Sequence, residues 1–178
     1  MDLIQTWRKE IRSGSRRKPE AFFHFTDRRN LQLIREHGLL SLARLREFGI
    51  EIPAPGGNKW SHDADEAKGL DEYVHLCLRD NHPMEYLARE DGRIERSIYL
   101  QIDLEVLAIE GIKYTPDVSN KSGVETYPID DTLKMVDFEI LYSRTPVFHL
   151  DRLQQAERCE LLVPNAIPLD LIRNLPDG

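Results

Sequence analysis

The sequence predicts an α+β domain, and three features lead there. Short apolar runs of strand character are scattered among short helical patterns and long loops. The regular strand–helix alternation of a parallel sheet is missing. So are the G-x-G-x-x-G and G-x-x-x-x-G-K-[ST] loops that cradle nucleotide phosphates. At 178 residues the chain has the length of one domain, able to bury about 70% of its unfolded surface. The expected organisation is a single domain over 1–178, with 1–20 as a basic N-terminal helix and extension.

In chain order, residues 3–12 read as a helix with Leu3, Ile4, Trp7 and Ile11 on one face, broken at Ser13-Gly14-Ser15. Ala21-Phe22-Phe23-His24-Phe25 reads as a buried strand, because aromatics suit a pleated surface. Asp27 caps a helix from Arg28, with Leu31 and Ile34 facing the core, and Gly38 supplies the left-handed stop. Residues 41–47 give a further helical turn. Residues 49–71 lack periodicity and hold Pro53, Pro55, Gly56 and Gly57, so they read as a long functional loop lying over a cleft. Tyr73–Leu78 alternates as a strand, and Pro83 opens a helix to about Arg89. Ser97–Ile102 is a strand, 111–129 is turn-rich, and 133–142 fits helix or strand equally. Arg158–Val163 is a late strand, and Pro168 opens a last short helix through Ile172.

Composition narrows the function. Apolar residues are 40% and charged residues 31%, a globular balance. No apolar run approaches the ~20 residues of a membrane span, and the first residues lack a secretory signal's apolar core. Two cysteines, Cys77 and Cys159, make neither a disulfide framework nor a zinc site, so a reducing cytoplasm is the expected compartment. The net charge of −7 argues against a general nucleic-acid coat protein. The charge is uneven, however. Residues 1–29 carry Arg8, Lys9, Arg12, Arg16, Arg17, Lys18, Arg28 and Arg29 against four acids, a local +4. That segment is either a phosphate grip or a solvated start to the chain.

Four groupings could carry chemistry. His24 and Thr26 face one side of their strand and offer the donors and acceptors that a ribose or amide needs; alternatively Thr26 caps the next helix. Glu160 interrupts an apolar strand, which is costly unless the carboxylate is engaged in a cleft or faces water at a sheet edge. His62, Asp63, Asp65 and Glu66, with His75 and His82 beyond, mix metal-ligand types without an established metal spacing, and read more simply as a solvated acidic loop. His82-Pro83-Met84 marks a helix start with amides free for an anion, or a plain strand-to-helix junction.

Taken in order, these segments resemble the DarT-type DNA ADP-ribosyltransferases. The first block runs from His24-Phe25-Thr26-Asp27 through Ile34 to Gly38-Leu39-Leu40-Ser41. The second is Tyr73-Val74-His75-Leu76 followed by Asn81-His82-Pro83-Met84 and Tyr86. The third is Cys159-Glu160-Leu161-Leu162-Val163-Pro164 with Ile167-Pro168. The resemblance implies two small mixed sheets around an NAD⁺ cleft. It also implies transfer of ADP-ribose from NAD⁺ to a base of DNA, single-stranded in the family's pattern, without a metal. Such enzymes act as toxins or phage-defence effectors and are opposed by a macrodomain antitoxin. By this carry-over Glu160 and His24 are catalytic. His24, Thr26 and Tyr73 hold NAD⁺, and Glu160 orients the ribose 2′-hydroxyl and assists the base nucleophile. The family also draws a basic residue from the loop before its second block, where this chain offers Arg44, Arg46, Lys59 and Lys68. Lys59 or Lys68 is the expected contact to the pyrophosphate or base.

Two other readings stand beside this one. The same fold could serve an NAD⁺-dependent transferase acting on RNA or protein. The chain could instead be a non-catalytic nucleic-acid module that stacks bases on Trp7, Phe22, Phe23 and Trp60.

Overall fold

The computed structural model describes residues 2–14, 18–143 and 149–176. Arg16 and Arg17 of the basic start lie outside the described residues. Helix α1 (Leu3–Gly14) packs on the body through Trp7 and Ile11, both fully buried. The Trp7 ring meets Phe22 and Phe138 edge-on, with centroids 4.9 and 4.8 Å away. Gly14 is required there, because a Cβ would collide with the Tyr142 carbonyl group. The N-terminal helix is thus part of the core.

Strand β1 (Ala21–Asp27) leads through a 3₁₀ turn, Arg28–Asn30, into α2 (Leu31–His37). Gly38 ends α2 at φ 74°, and a Cβ there would meet the Ile167 carbonyl oxygen at 2.5 Å. Strand β2 (Leu39–Leu40) and α3 (Leu42–Glu47) follow, with Ser41 Oγ accepting from the Arg44 amide. Next come α4 (Lys59–Ala67), β3 (Tyr73–Cys77), α5 (Pro83–Glu90) and β4 (Ser97–Asp103). The chain closes with β5 (Lys113–Thr115), β6 (Tyr127–Pro128), α6 (Phe138–Tyr142), α7 (Leu150–Ala156), β7 (Glu160–Pro164) and β8 (Ala166–Ile167).

The α+β class and the two sheets are as expected; the sheets are antiparallel where mixed ones were expected, and one is large. One has six strands in the order β4-β1-β3-β7-β5-β6, the other is the two-stranded pair β2-β8, and the pairings are antiparallel. One face of the large sheet buries Phe22, Val74, Leu76, Leu100, Ile102, Leu161 and Val163. On β3 and β7 the alternate positions, including His75 and Glu160, are left for a cleft, which His24 of β1 also lines.

Helix α4 lies inside the stretch expected to be irregular. The reason is physical: its buried positions are Ser61 and Asp65, so it has no apolar stripe to read. Asn58 caps it by accepting from the Ser61 amide at 2.8 Å. The ambiguous 133–142 region resolves as a 3₁₀ turn and helix α6, capped by Asp137. The turn-rich 111–129 holds β5 and β6, and the last short helix is 3₁₀, Leu169–Leu171. Among the described residues no helix is long and apolar enough to cross a membrane.

Candidate active site

Three central strands, the α2–β2–α3 segment, the turn at 118–120 and the 50–65 segment enclose the cleft. β1 supplies His24, Phe25 and Thr26; β3 supplies Tyr73 and His75; β7 supplies Glu160 at its first residue. The fourth wall is Ile50–Gly57 with Ser61, His62 and Asp65 of α4, which places the 49–71 stretch at the cleft as its sequence suggested.

Two polar knots fix these walls. Asp27, fully buried at the end of β1, accepts from the Arg29 amide and guanidinium and from the amides of Glu95 and Arg96. The Arg29 hydrogen bond outweighs burial and holds the Asp27 carboxyl far below the ordinary range. Asn30 binds the loop: its Nδ2 donates to the Ala54 carbonyl at 2.7 Å, and its Oδ1 accepts from the Ala54 amide at 2.9 Å. The same Nδ2 donates to Thr26 Oγ1 at 3.1 Å, which leaves the threonine hydroxyl proton to be donated elsewhere.

Glu160 is 5% exposed. Its Oε2 accepts from the Ser119 amide at 2.9 Å and lies 3.6 Å from His75 Nδ1. Its Oε1 lies 3.5 Å from His82 Nε2, whose side chain is fully buried. Burial alone would raise the Glu160 pKa; the hydrogen bond and charge of His75, with His82 and Ser119, reverse this and bring it to about 2. The same attraction overcomes burial at His75 and raises that imidazole to about 9. His75 and Glu160 are therefore an ion pair at neutral pH.

Burial favours the neutral form of two more histidines, His82 and His24. His82 Nδ1 accepts from the Met84 amide at 3.3 Å and caps α5, so its proton sits on Nε2, toward Glu160. Burial lowers its pKa. That cap also occupies one of the amides otherwise free for an anion. His24 Nδ1 lies 3.0 Å from the His75 carbonyl, an acceptor only, so Nδ1 carries the proton and Nε2 is left as an acceptor. Burial lowers His24 as well.

The sequence-derived residues distribute unevenly. His24, Thr26, Tyr73 and Glu160 share the cleft, and Lys113 Nζ stands 4.9 Å from the Tyr73 ring centroid. Lys59 and Lys68 do not line it. Lys59 is exposed on the first turn of α4. Lys68 Nζ donates to the carbonyls of Ser119 (2.9 Å) and Lys121 (2.6 Å), tying down the turn that presents the Ser119 amide. Arg44 bonds Asn165 and Glu47, and Arg46 pairs with Asp71 and Glu66. At the basic start Arg8 and Arg12 pair with Glu20, and Lys18 donates to Leu141. Of the aromatics considered for stacking, Trp7, Phe22 and Phe23 are buried, while Trp60 is 67% exposed.

Sequence reasoning missed the roles of His75, His82, Asp65 and Ser119. His75 and Asp65 were visible only within a loose series of metal-ligand types, and His82 also as a helix start. Among the described residues no group of three or more such side chains is arranged to hold a metal ion. Asp65 is buried in the cleft with Oδ1 lacking a partner. The Ser119 contact is through backbone, so no residue type announces it.

Comparison with known proteins places this architecture. Residues 23–175 match a family model described as "DarT: ssDNA thymidine ADP-ribosyltransferase". No curated protein sequence matches. Similar solved structures include Thermus sp. 2.9 DarT in complex with ADP-ribosylated ssDNA, at 19% identity and TM-score 0.65, covering 88% of this chain and 81% of that one. The same Thermus protein in complex with NAD⁺ matches at 18% identity and TM-score 0.57, covering 89% and 81%. Thermosipho africanus DarTG in complex with ADP-ribose matches at 16% identity and TM-score 0.64, covering 85% of this chain. This chain spans 42% of the length of that protein. At these identities the likeness is one of fold.

Proposed function

The chain belongs to the DarT family of ssDNA thymidine ADP-ribosyltransferases, and from that premise we propose that it transfers ADP-ribose from NAD⁺, its substrate, to a thymidine base of single-stranded DNA. The observation that carries the reading is Glu160, a carboxylate kept ionised at the focus of the cleft by His75 and the Ser119 amide.

In this reading Glu160 Oε1 accepts the 2′-hydroxyl of the nicotinamide ribose. The carboxylate lies beside the positive charge that develops as the C1′–nicotinamide bond lengthens. A preorganised anion in a water-poor cleft stabilises an oxocarbenium-like transition state without reorganising. His24 accepts through Nε2 and Thr26 donates its hydroxyl, together fixing the nicotinamide riboside. Tyr73, with Lys113 over its ring, forms the side wall. The departing nicotinamide keeps the C–N electron pair and leaves neutral. The exposed Lys59, two residues before cleft-lining Ser61, supplies phosphate charge at the rim, and Lys68 shapes the turn carrying Ser119.

Trp60 supports a nucleic-acid acceptor. A large exposed aromatic on the helix that walls the cleft offers a stacking platform to an unpaired base. The Thermus structure named for ADP-ribosylated ssDNA shares this fold. The DarTG likeness supports a toxin role with a macrodomain antitoxin as partner.

The test is incubation with labelled NAD⁺ and separate pools of single-stranded DNA, duplex DNA, RNA and protein. Label on single-stranded DNA, located on thymidine by nucleoside mass spectrometry, is the expected result. Label on RNA or protein alone would overturn the substrate assignment.

A further inference from the structure

The cleft holds two carboxylates in opposite circumstances, and the reaction proposed above uses only one. Glu160 accepts from the Ser119 amide and faces His75 and His82 at 3.6 and 3.5 Å. Asp65, from α4, is 7% exposed, and its Oδ1 has no hydrogen-bond partner. A buried carboxylate oxygen left unpaired is expensive, and a ligand group that donates to it recovers the loss. Asp65 lines the same cleft as His75 and Glu160.

The acceptor raises a matching demand. An imide base such as thymine attacks well only after its ring N–H proton has gone. Glu160 is a poor home for that proton, since His75 and Ser119 stabilise its charged form. Asp65 has the complementary character. Burial is the main cause that raises it, to about 6; nearby Glu160 and Asp71 push it the same way, and His75 and Lys68 oppose them. Carboxylates whose surroundings push their affinities for protons apart tend to divide the work.

We propose that Asp65 is the general base that takes the ring N–H proton of the acceptor base, while Glu160 serves the ribose. The inference rests on the transferase reading above. In the step, the base N–H proton passes to the Asp65 carboxylate, and the freed nitrogen pair forms the new bond to ribose C1′. The C1′–nicotinamide bond breaks with its electrons on nicotinamide, and Asp65 later releases the proton to water.

The test is Asp65→Asn, assayed for transfer to a thymidine-containing single strand across pH, for NAD⁺ affinity and for thermal melting. Transfer kcat should fall about 10²- to 10⁴-fold, with NAD⁺ affinity altered no more than about threefold. The wild-type rate should decline below about pH 6, and this acidic limb should vanish in the variant. If Asp65→Asn does not fold, Asp65→Glu decides: it should transfer measurably and keep an acidic limb. Near wild-type transfer by folded Asp65→Asn, survival of the limb in it, or loss of NAD⁺ binding in step with transfer would each overturn the assignment, as would an Asp65→Glu without the limb. A wild-type protein that modifies no DNA strikes the underlying reading instead, so the two failures are distinct.

Discussion

Glu160 Oε2 lies 3.6 Å from His75 Nδ1, on neighbouring strands of one antiparallel sheet. The two groups also share Ser119: its amide donates to the glutamate, and its hydroxyl lies 3.2 Å from the same imidazole nitrogen. A strand-borne ion pair of this kind is rigid, and it makes the charge state of the cleft a property of the sheet.

The pair should be visible in titration. His75 is raised above its ordinary 6.5 to about 9, so its contribution to stability is complete below 6.5 and lost as pH rises through 9. Glu160 is depressed below 4.5 to about 2, so its contribution is complete above 4.5 and lost as pH falls toward 2. NMR of the His75 ring should show a midpoint near 9, falling below 6.5 in Glu160→Gln, where burial acts without its partner. An unchanged midpoint in that variant would mean the pair does not set the charge.

Asn30 should matter out of proportion to its size. Its amide makes both bonds to Ala54, and Asn30→Ala leaves a buried amide and carbonyl without partners. A loss of about 2–4 kcal/mol is expected in denaturant unfolding, together with a raised KM for NAD⁺ as the Ile50–Gly57 wall loosens. A loss below about 0.5 kcal/mol would show that the wall is held by other contacts.

Much of this architecture was legible because apolar spacing and turn residues report directly on burial. Trp7 and Ile11, the β1 aromatics, Gly38 and Pro83 all specify local geometry by themselves. Helix α4 was not legible, because it buries Ser61 and Asp65 where a helix ordinarily shows apolar residues. His24 and Glu160 stood out as polar residues in apolar strands, and both line the cleft. His75 and His82 did not stand out as partners of Glu160, because they approach it from separate elements, and Asp65 reaches the cleft from a helix with no apolar stripe. The environment of Lys68 was not legible for a related reason: sequence shows its charge but not the carbonyls of Ser119 and Lys121 to which it donates.

Trp60 gives a direct view of the DNA. It is two-thirds exposed, whereas Trp7 is fully buried, so quenching of tryptophan fluorescence by an oligothymidylate should come from Trp60. Trp60→Ala should abolish the quench and weaken binding by about 1–3 kcal/mol, or roughly 5- to 150-fold. Full quenching or unaltered affinity in the variant would place the strand elsewhere on the surface.

The measurement that bears most directly on the account is the rate of ADP-ribosylation of a thymidine-containing single strand by Glu160→Gln, beside NAD⁺ binding and melting of the same variant. Glutamine keeps the shape and the hydrogen-bonding oxygen but removes the charge that faces the developing cation. Transfer should fall at least 10²-fold, about 3 kcal/mol of barrier or more, while NAD⁺ still binds and the protein still folds. A folded variant that modifies DNA at near wild-type speed would contradict the assignment of Glu160 as the carboxylate at the centre of the reaction.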